Sequence, residues 1–204
     1  MDQVAAILLA AGRSRRMGAF KPLLPFGKKT VIEYCLDYLR DGGVNQIVVV
    51  LGHRADEIRV HLNDVQVAIN PDPDSEMGAS IATGVRAIPE TTRAVVIALV
   101  DYPAVPSQIV STLIEEWQNR HVHIVIPTWQ GRGGHPVLVD LAYRKELENL
   151  TGPASGGLRQ LFQTHASDVQ RLPVDSPFVA RDMDTWDDYV ALCEEAFGYP
   201  PPAR

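Results

Sequence analysis

Eight consecutive apolar residues, Val4 to Ala11, stop at Gly12 and give way to Arg13, Arg15, Arg16, Gly18 and Lys21. The run shows no polar alternation, so both faces of the extended chain need cover. That is the pattern of a strand inside a parallel sheet, with helices packed on either side. Open sheets of this kind bind ligands in the crevice beyond the carboxyl ends of their strands. The loop leaving this strand is therefore where ligand chemistry is expected. Its glycines permit positive φ and close backbone approach, and its arginines and lysine supply charge and donors for phosphate oxygens. Together they point to a nucleoside triphosphate site; the competing reading is an ordinary basic surface loop.

Two better-known phosphate loops are excluded. Walker A, G-x-x-x-x-G-K-[ST], counted from Gly12 requires a glycine where Met17 stands, and Gly18 is followed by Ala19. The dinucleotide fingerprint G-x-G-x-x-G fails at its second glycine, which is Ser14. This disfavours an NAD-dependent dehydrogenase.

Strand and helix signals alternate along the rest of the chain. A helix is predicted over Thr30–Leu39, closed by Gly42 and Gly43, then a buried strand over Gln46–Leu51. Ala55–Leu62 reads as a short helix and Val65–Ile69 as a strand. The Pro71-to-Asp74 segment forces a loop before a helix over Ala79–Ile88. Ala94–Val100 is a fully apolar strand ending at Asp101, followed by a helix over Pro106–Trp117. Further strands are predicted over His123–Pro127, Val137–Val139 and Val169–Leu172. A Gly-rich loop fills Thr128–His135, and helices are predicted over Leu141–Leu150, Leu158–Thr164 and Thr185–Phe197. Gly152 to Gly157 should break the chain. Thr185 and Asp188 have the spacing of a capping box. The β-α alternation implies a three-layer α/β fold with a mainly parallel sheet and right-handed crossovers. The expected layout is one domain over residues 1–198 with a frayed tail at 199–204.

Composition narrows the function classes. The chain has 204 residues, ample for one α/β domain, and its net charge of −6 speaks against a nucleic-acid partner. The basic loop is thus a local concentration on an acidic background. Cys35 and Cys193 fall in segments of helical period and are expected as buried thiols. The histidines form no H-E-x-x-H or similar metal pattern. No apolar run approaches the roughly 20 residues that cross a bilayer, and Asp2 stands where a signal segment would be basic. A cytoplasmic protein without a membrane partner is expected.

Leu9-Ala10-Ala11-Gly12-Arg13-Ser14, continuing through Arg16, Met17, Gly18 and Lys21 to Pro25, resembles the signature of the Rossmann-like nucleotidyltransferases of the MobA-like family. Within it, the chain is most similar to the molybdenum cofactor cytidylyltransferase branch. Further matches fall in family order at Asn70 to Gly84, Asp101-Tyr-Pro103, Gly134-His135-Pro136 and Asp182 to Thr185, so the resemblance spans nearly the whole chain.

The individual residues carry weight beside that resemblance. Asp101 closes an apolar strand at the ligand-binding edge, where a carboxylate suits a hard cation such as Mg²⁺; otherwise it is an ordinary strand-ending acid. The resemblance makes it a metal ligand, with Val100 standing where the family commonly has glycine. Asp182 and Asp184 share one side of an extended segment. Asp182 is expected as the second metal ligand, with Asp184 helping Thr185 to cap the last helix. Asn70, Gly78 and Ser80 lie at or before a helix N-terminus, which suits an anion, with Ser80 as a plain N-cap the alternative. The resemblance places them, with Leu9 to Ser14, around the nucleotide. It places Gly134, His135 and Pro136 on the acceptor side. His53 is expected to be structural.

The chemistry implied is attack by an acceptor phosphate on the α-phosphorus of a nucleoside triphosphate, releasing pyrophosphate. Arg16 and Lys21 would neutralise charge on the triphosphate, with Arg13 as a helper. Ala11 before Gly12 matches the cytidylyl branch, making CTP the expected nucleotide and GTP the alternative. The acceptor would be molybdopterin or molybdenum cofactor, the product passing to a molybdenum hydroxylase. Pro153-Ala-Ser155 stands where the family often has an acid, which keeps other phosphorylated acceptors open. A non-catalytic nucleotide-binding or cofactor-binding module is the reading from a different class.

Overall fold

In the computed structural model, which describes residues 3–72, 74–120, 122–151 and 156–202, the opening run forms strand β1 (Val4–Ala10), buried at every position. A small hairpin follows, β2 (Pro25–Phe26) with β3 (Lys29–Thr30), then helix α1 (Val31–Asp41) and strand β4 (Gln46–Leu51). The short α2 (Ala55–Arg59), strand β5 (Gln66–Ile69), helix α3 (Met77–Ala87) and strand β6 (Ala94–Leu99) come next. After α4 (Ser107–Arg120), the chain forms β7 (Ile124–Trp129), β8 (Arg132–Gly133) and β9 (Val137–Asp140). It closes with α5 (Arg144–Glu148), α6 (Gly157–Thr164), β10 (Val169–Pro173) and α7 (Trp186–Phe197).

The sheet order is β10-β7-β9-β6-β1-β4-β5, with β8 folded back on β7. Pairing is parallel between β1 and both β4 and β6, between β4 and β5, and between β10 and β7. Within this sheet β9, with its two neighbours, and the β8 hairpin pair antiparallel; the separate β2–β3 hairpin is antiparallel as well. The carboxyl ends of β1, β4, β5, β6, β7 and β10 therefore lie at one edge, and so does the entry into β9.

The unbroken apolar run has a direct physical explanation. Val4, Ala6, Leu8 and Ala10 pack on one face with Leu36 and Leu39 of α1 and Val110 and Leu113 of α4. Ala5, Ile7 and Leu9 pack on the other with Ile81 and Val85 of α3, Leu147 of α5 and Leu161 of α6. Both side-chain registers of β1 thus reach a core. A third cluster, Met17, Phe26, Val31, Met183, Tyr189, Leu192 and Cys193, joins the first loop to α7. The Tyr189 hydroxyl ties α7 to the hairpin by donating to the Pro25 carbonyl.

Several boundaries differ from the sequence expectation. The helix expected over Leu141–Leu150 is a 3-10 turn, Leu141–Tyr143, running into the short α5. The loop expected over Thr128–His135 holds the end of β7 and the β8 hairpin, turned at Gln130 and Gly131, both with positive φ. Ser80 is not an N-cap: α3 starts earlier, after Glu76, and Ser80 is buried within it. The capping box of Thr185 and Asp188 is present, and both cysteines are buried and free. The Gly152 to Ser155 part of the expected break lies outside the described residues, as do residues 203 and 204 of the tail; Tyr199 stacks on Phe197. Among the described residues no helix is long and apolar enough to cross a membrane.

Gly84 lets α3 settle onto the sheet: a Cβ there would lie 2.7 Å from Ile7 Cγ2 and 3.0 Å from Val50 Cγ2. Gly84→Val should cost about 1–3 kcal/mol through overpacking, read as a lower urea midpoint. An unchanged midpoint would mean that α3 does not sit this close to β1.

Candidate active site

The loop leaving β1 is fixed by side chains of opposite character. Met17 is 2% exposed and anchored in the cluster below α7, so the basic loop is pinned from beneath. Sequence reasoning passed over Met17; the available signal was one large apolar residue among arginines. Ser14 has φ 52°, and its Oγ accepts from the Lys21 backbone N–H at 3.3 Å, closing the loop on itself. A Cβ at Gly12 would meet nothing within 4 Å, so its backbone faces open space.

Lys21 is buried, and its ammonium meets two carboxylates: Asp184 Oδ1 at 2.8 Å and Asp101 Oδ2 at 3.8 Å. Arg16 reaches the other oxygen of Asp184 at 2.7 Å. Asp101 stands just beyond β6, and its backbone carbonyl accepts from Met183 N–H at 3.0 Å. That bond and the burial of Met183 dock the 182–184 segment against the sheet edge. Burial lifts the Asp101 carboxyl to about 6, with Lys21 pulling it down and Asp184 and Asp182 pushing it up. Its Oδ1 is buried with no hydrogen-bond partner.

The capping role expected of Asp184 falls to Asp188 instead. Thr185 and Asp188 cap α7 between themselves, leaving the Asp184 carboxylate for Lys21 and Arg16. Asp182 is exposed, and among charged neighbours it is the leading one acting on Tyr102. The arrangement fits a divalent cation on chemical grounds: Asp101 and Asp184 converge, both donors are hard oxygens, and Asp101 Oδ1 lacks a partner. Among the described residues no group of three or more ligating side chains exists, so substrate oxygens and water would complete any shell.

A cavity of about 260 Å³ opens over the ends of β1 and β6, lined by Leu9, Ala11, Gly12, Ser14, Lys21, Asn70, Ser80 and Asp101 among others. Asn70 Nδ2 donates to Ser75 Oγ and to Ser80 Oγ, each at 2.9 Å, which holds the β5–α3 loop to the helix. A smaller hollow beside it shares Ser14, Lys21 and Asp101 and adds Arg16 and Asp184. Ala10 does not line the cavity; it is buried in the α1–α4 core. Arg13 and Arg15 pair with Asp74 of the opposite loop, at 2.8 and 2.7 Å, and Arg15 also lines the smaller hollow.

A larger chamber of about 940 Å³ adjoins this cavity at Met77, which lines both. Gly78, Gly134 and His135 line the chamber, whereas Pro136 is buried behind it. The two glycines have packing reasons. A Cβ would lie 2.1 Å from the Leu150 carbonyl oxygen at Gly78, and 2.0 Å from that of Val179 at Gly134. His135 is held by its backbone N–H to the Val179 carbonyl at 2.8 Å, with its ring 5.3 Å from Tyr102. His53 lies away from the cavities, its ring edge-on to Phe20.

A profile of the MobA-like NTP transferase domain covers residues 6–169, a span that takes in the first motif and the later matches up to Pro136. The chain belongs to this family. It is 31% identical over 205 residues to a probable molybdenum cofactor guanylyltransferase of Mycobacterium avium, covering 94% of this chain and 96% of the relative. The molybdenum cofactor cytidylyltransferase of Escherichia coli is 24% identical over 197 residues, covering 95% and 97%. Nicotine blue oxidoreductase of Paenarthrobacter nicotinovorans is 28% identical over 199 residues, covering 93% and 96%. The crystal structure of Rv0371c from Mycobacterium tuberculosis superimposes with a TM-score of 0.84 at 30% identity, covering 95% of this chain and 98% of that one. A complex of the same protein with manganese gives 0.80 at 29% identity, covering 94% and 98%. This MobA-like chain is therefore a nucleotidyltransferase with a Rossmann-like fold, related to the molybdenum cofactor cytidylyl- and guanylyltransferases.

Burial draws the His135 imidazole down to about 4, with the Ile97 backbone opposing weakly. Above about pH 6.5 the folded and unfolded chains both hold it neutral. Between there and pH 4 the unfolded chain binds a proton that the folded chain refuses, so stability falls as pH falls. His135→Asn should remove that component. The difference in urea midpoint between wild type and variant should shrink from pH 7 to pH 4.5; a constant difference would contradict the buried neutral imidazole.

Proposed function

We propose that this chain transfers the nucleoside monophosphate of CTP to the phosphate of molybdopterin or molybdenum cofactor, releasing pyrophosphate. The observation that carries the reading is the meeting of Lys21, Asp101 and Asp184 where the smaller cavity adjoins the hollow holding Arg16, with the larger chamber alongside. The smaller cavity takes the nucleotide, its base and ribose toward Asn70 and Ser80 and its phosphates toward Gly12 and Lys21. The acceptor occupies the chamber lined by Tyr102 and His135. CTP is favoured by Ala11 ahead of Gly12; GTP is the alternative, supported by the guanylyltransferase relative.

The reaction is a displacement at the α-phosphorus. An oxygen of the acceptor phosphate bonds to that phosphorus, the α–β bridging bond breaks, and pyrophosphate departs with its electron pair. Such transfers depend on positioning and charge neutralisation more than on covalent help. Lys21 and Arg16 place positive charge against the triphosphate once they exchange Asp184 for phosphate oxygens. Arg13 and Arg15 do the same after leaving Asp74, which holds them in the position of a phosphate mimic. Asp101 and Asp184 would hold Mg²⁺, which when bound supplies charge neutralisation for the two reacting phosphates. Cytoplasmic action, with hand-over of the product to a molybdenum hydroxylase, completes the proposal.

The nicotine blue oxidoreductase relative supports a second reading, an oxidoreductase on the same scaffold. The first loop lacks the dinucleotide glycine pattern, which weighs against it. Reduction of nicotine blue by NADH or NADPH in the presence of the purified protein, followed at 340 nm, would favour it.

Pyrophosphate release should appear with CTP, Mg²⁺ and molybdenum cofactor together and with none of them alone. Turnover selective for GTP would overturn the base assignment, and turnover with neither nucleotide would overturn the acceptor. Asp101→Asn should lower kcat by about 10²–10³ with the fold intact. Asp74→Ala should lower the KM for nucleotide several-fold by freeing Arg13 and Arg15; a raised KM would show that Asp74 positions them instead.

A further inference from the structure

Tyr102 is the first residue past Asp101, and its side chain lines the larger chamber. It therefore belongs to both halves of the site. Its backbone continues from a carboxylate of the charged centre, and its ring forms part of the chamber wall. That ring is fixed on several sides. The Tyr102 backbone N–H donates to the Leu99 carbonyl at 3.2 Å, closing a turn at the end of β6. The half-buried ring packs against both core clusters that flank the sheet. It lies 5.3 Å from the His135 ring, whose own backbone N–H is tied to the Val179 carbonyl.

The ring is held, but the hydroxyl is not. Tyr143 and Tyr189 use their hydroxyls to join elements, donating to Asp168 and to the Pro25 carbonyl. Among the described residues the Tyr102 hydroxyl makes no hydrogen bond. Burial pushes its phenol well above the usual range, and Asp182, Asp101 and Asp184 push the same way, with Arg132 opposing. The group thus stays protonated at neutral pH, a donor without a partner. The three acids repel an anion until positive charge offsets them. The missing partner is therefore an oxygen that arrives together with such charge, at the junction of the acidic centre and the chamber.

We infer that Tyr102 is a further catalytic residue: its hydroxyl donates to a non-attacking oxygen of the acceptor phosphate and so turns the attacking oxygen toward the α-phosphorus. This rests on the transferase reading, with the larger chamber as the acceptor site. A neutral donor meeting a charged oxygen makes one of the stronger hydrogen bonds, and a ring packed in advance gives it direction. No proton changes hands at Tyr102; the bonds made and broken remain those of the displacement at phosphorus. Its contribution is to position the nucleophile.

Tyr102→Phe removes the hydroxyl and keeps the ring. In steady state with CTP, Mg²⁺ and molybdenum cofactor it should raise the acceptor KM about tenfold and lower kcat, with the KM for CTP within about twofold. Its urea midpoint should match wild type, because the packing on His135 remains. A second readout needs no turnover: fluorescence titration with Mg²⁺ and a non-hydrolysable CTP analogue present. Wild type should bind 6-hydroxymethylpterin phosphate more tightly than 6-hydroxymethylpterin, and Tyr102→Phe should narrow that preference about tenfold. Unchanged acceptor kinetics, a phosphate preference that is absent from wild type or survives the substitution, or a lowered midpoint would each overturn the inference. If wild type turns over no nucleotide while the phosphate preference still depends on Tyr102, the transferase reading fails and the hydroxyl stands as a phosphate donor.

Discussion

One ammonium group held between two carboxylates is the interaction on which the site depends. Lys21 comes from the first loop, Asp101 from the end of a central strand, and Asp184 from the segment leading into the last helix. Their meeting joins parts of the chain 163 residues apart. All three side chains are a quarter exposed or less, so each charge needs its partners to remain tolerable out of water. The balance is incomplete on one side, since Asp101 keeps a buried oxygen with no partner and a carboxyl lifted to about 6. A dication there would favour the charged form further, the direction in which opposite charge moves a carboxylate.

The fold exists in a form that makes this meeting unavoidable. Parallel pairing sends the ends of β1, β5 and β6 to one edge, and the reversed β9 brings Gly134 and His135 to the same edge from its entry side. Met17 and Met183 then fasten the first loop and the 182–184 segment in a common apolar cluster. Removing either methionine would leave the charged residues present but loosely held. Both chambers mix polar and apolar lining: Ser14, Asn70 and Ser80 stand beside Leu9 and Leu99 in the smaller, and Tyr102 and His135 beside Ile81 and Val137 in the larger.

Much of this was legible in the sequence because the physical signals were local. An apolar run without alternation reads directly as a strand covered on both faces, and Gly12, Ser14 and Lys21 read as a loop built to approach a ligand. Asp101 was legible as a strand-ending acid at the correct edge. The identity of the second acid was not, because Asp182 and Asp184 are equivalent in an extended segment. The Thr185 and Asp188 capping box was legible, but the Met183 bond to the Asp101 carbonyl, which aims the Asp184 carboxylate at Lys21, is visible only in the tertiary structure. The alternative reading of Ser80 as a plain N-cap fails because α3 starts after Glu76, two residues ahead of its expected first turn. The Arg13 and Arg15 pairing with Asp74 was hidden for the same reason, since it joins loops from different crossovers.

The central claim is that Asp101 and Asp184, with Lys21 between them, form the metal-binding centre. Electron paramagnetic resonance of free Mn²⁺, titrated against protein with a non-hydrolysable CTP analogue, tests it most directly. The account predicts that wild type and Asp182→Asn take up Mn²⁺ alike, while Asp184→Asn and Asp101→Asn each weaken uptake at least about tenfold, the loss expected for one charged oxygen ligand. Full uptake by Asp184→Asn with loss in Asp182→Asn would contradict it.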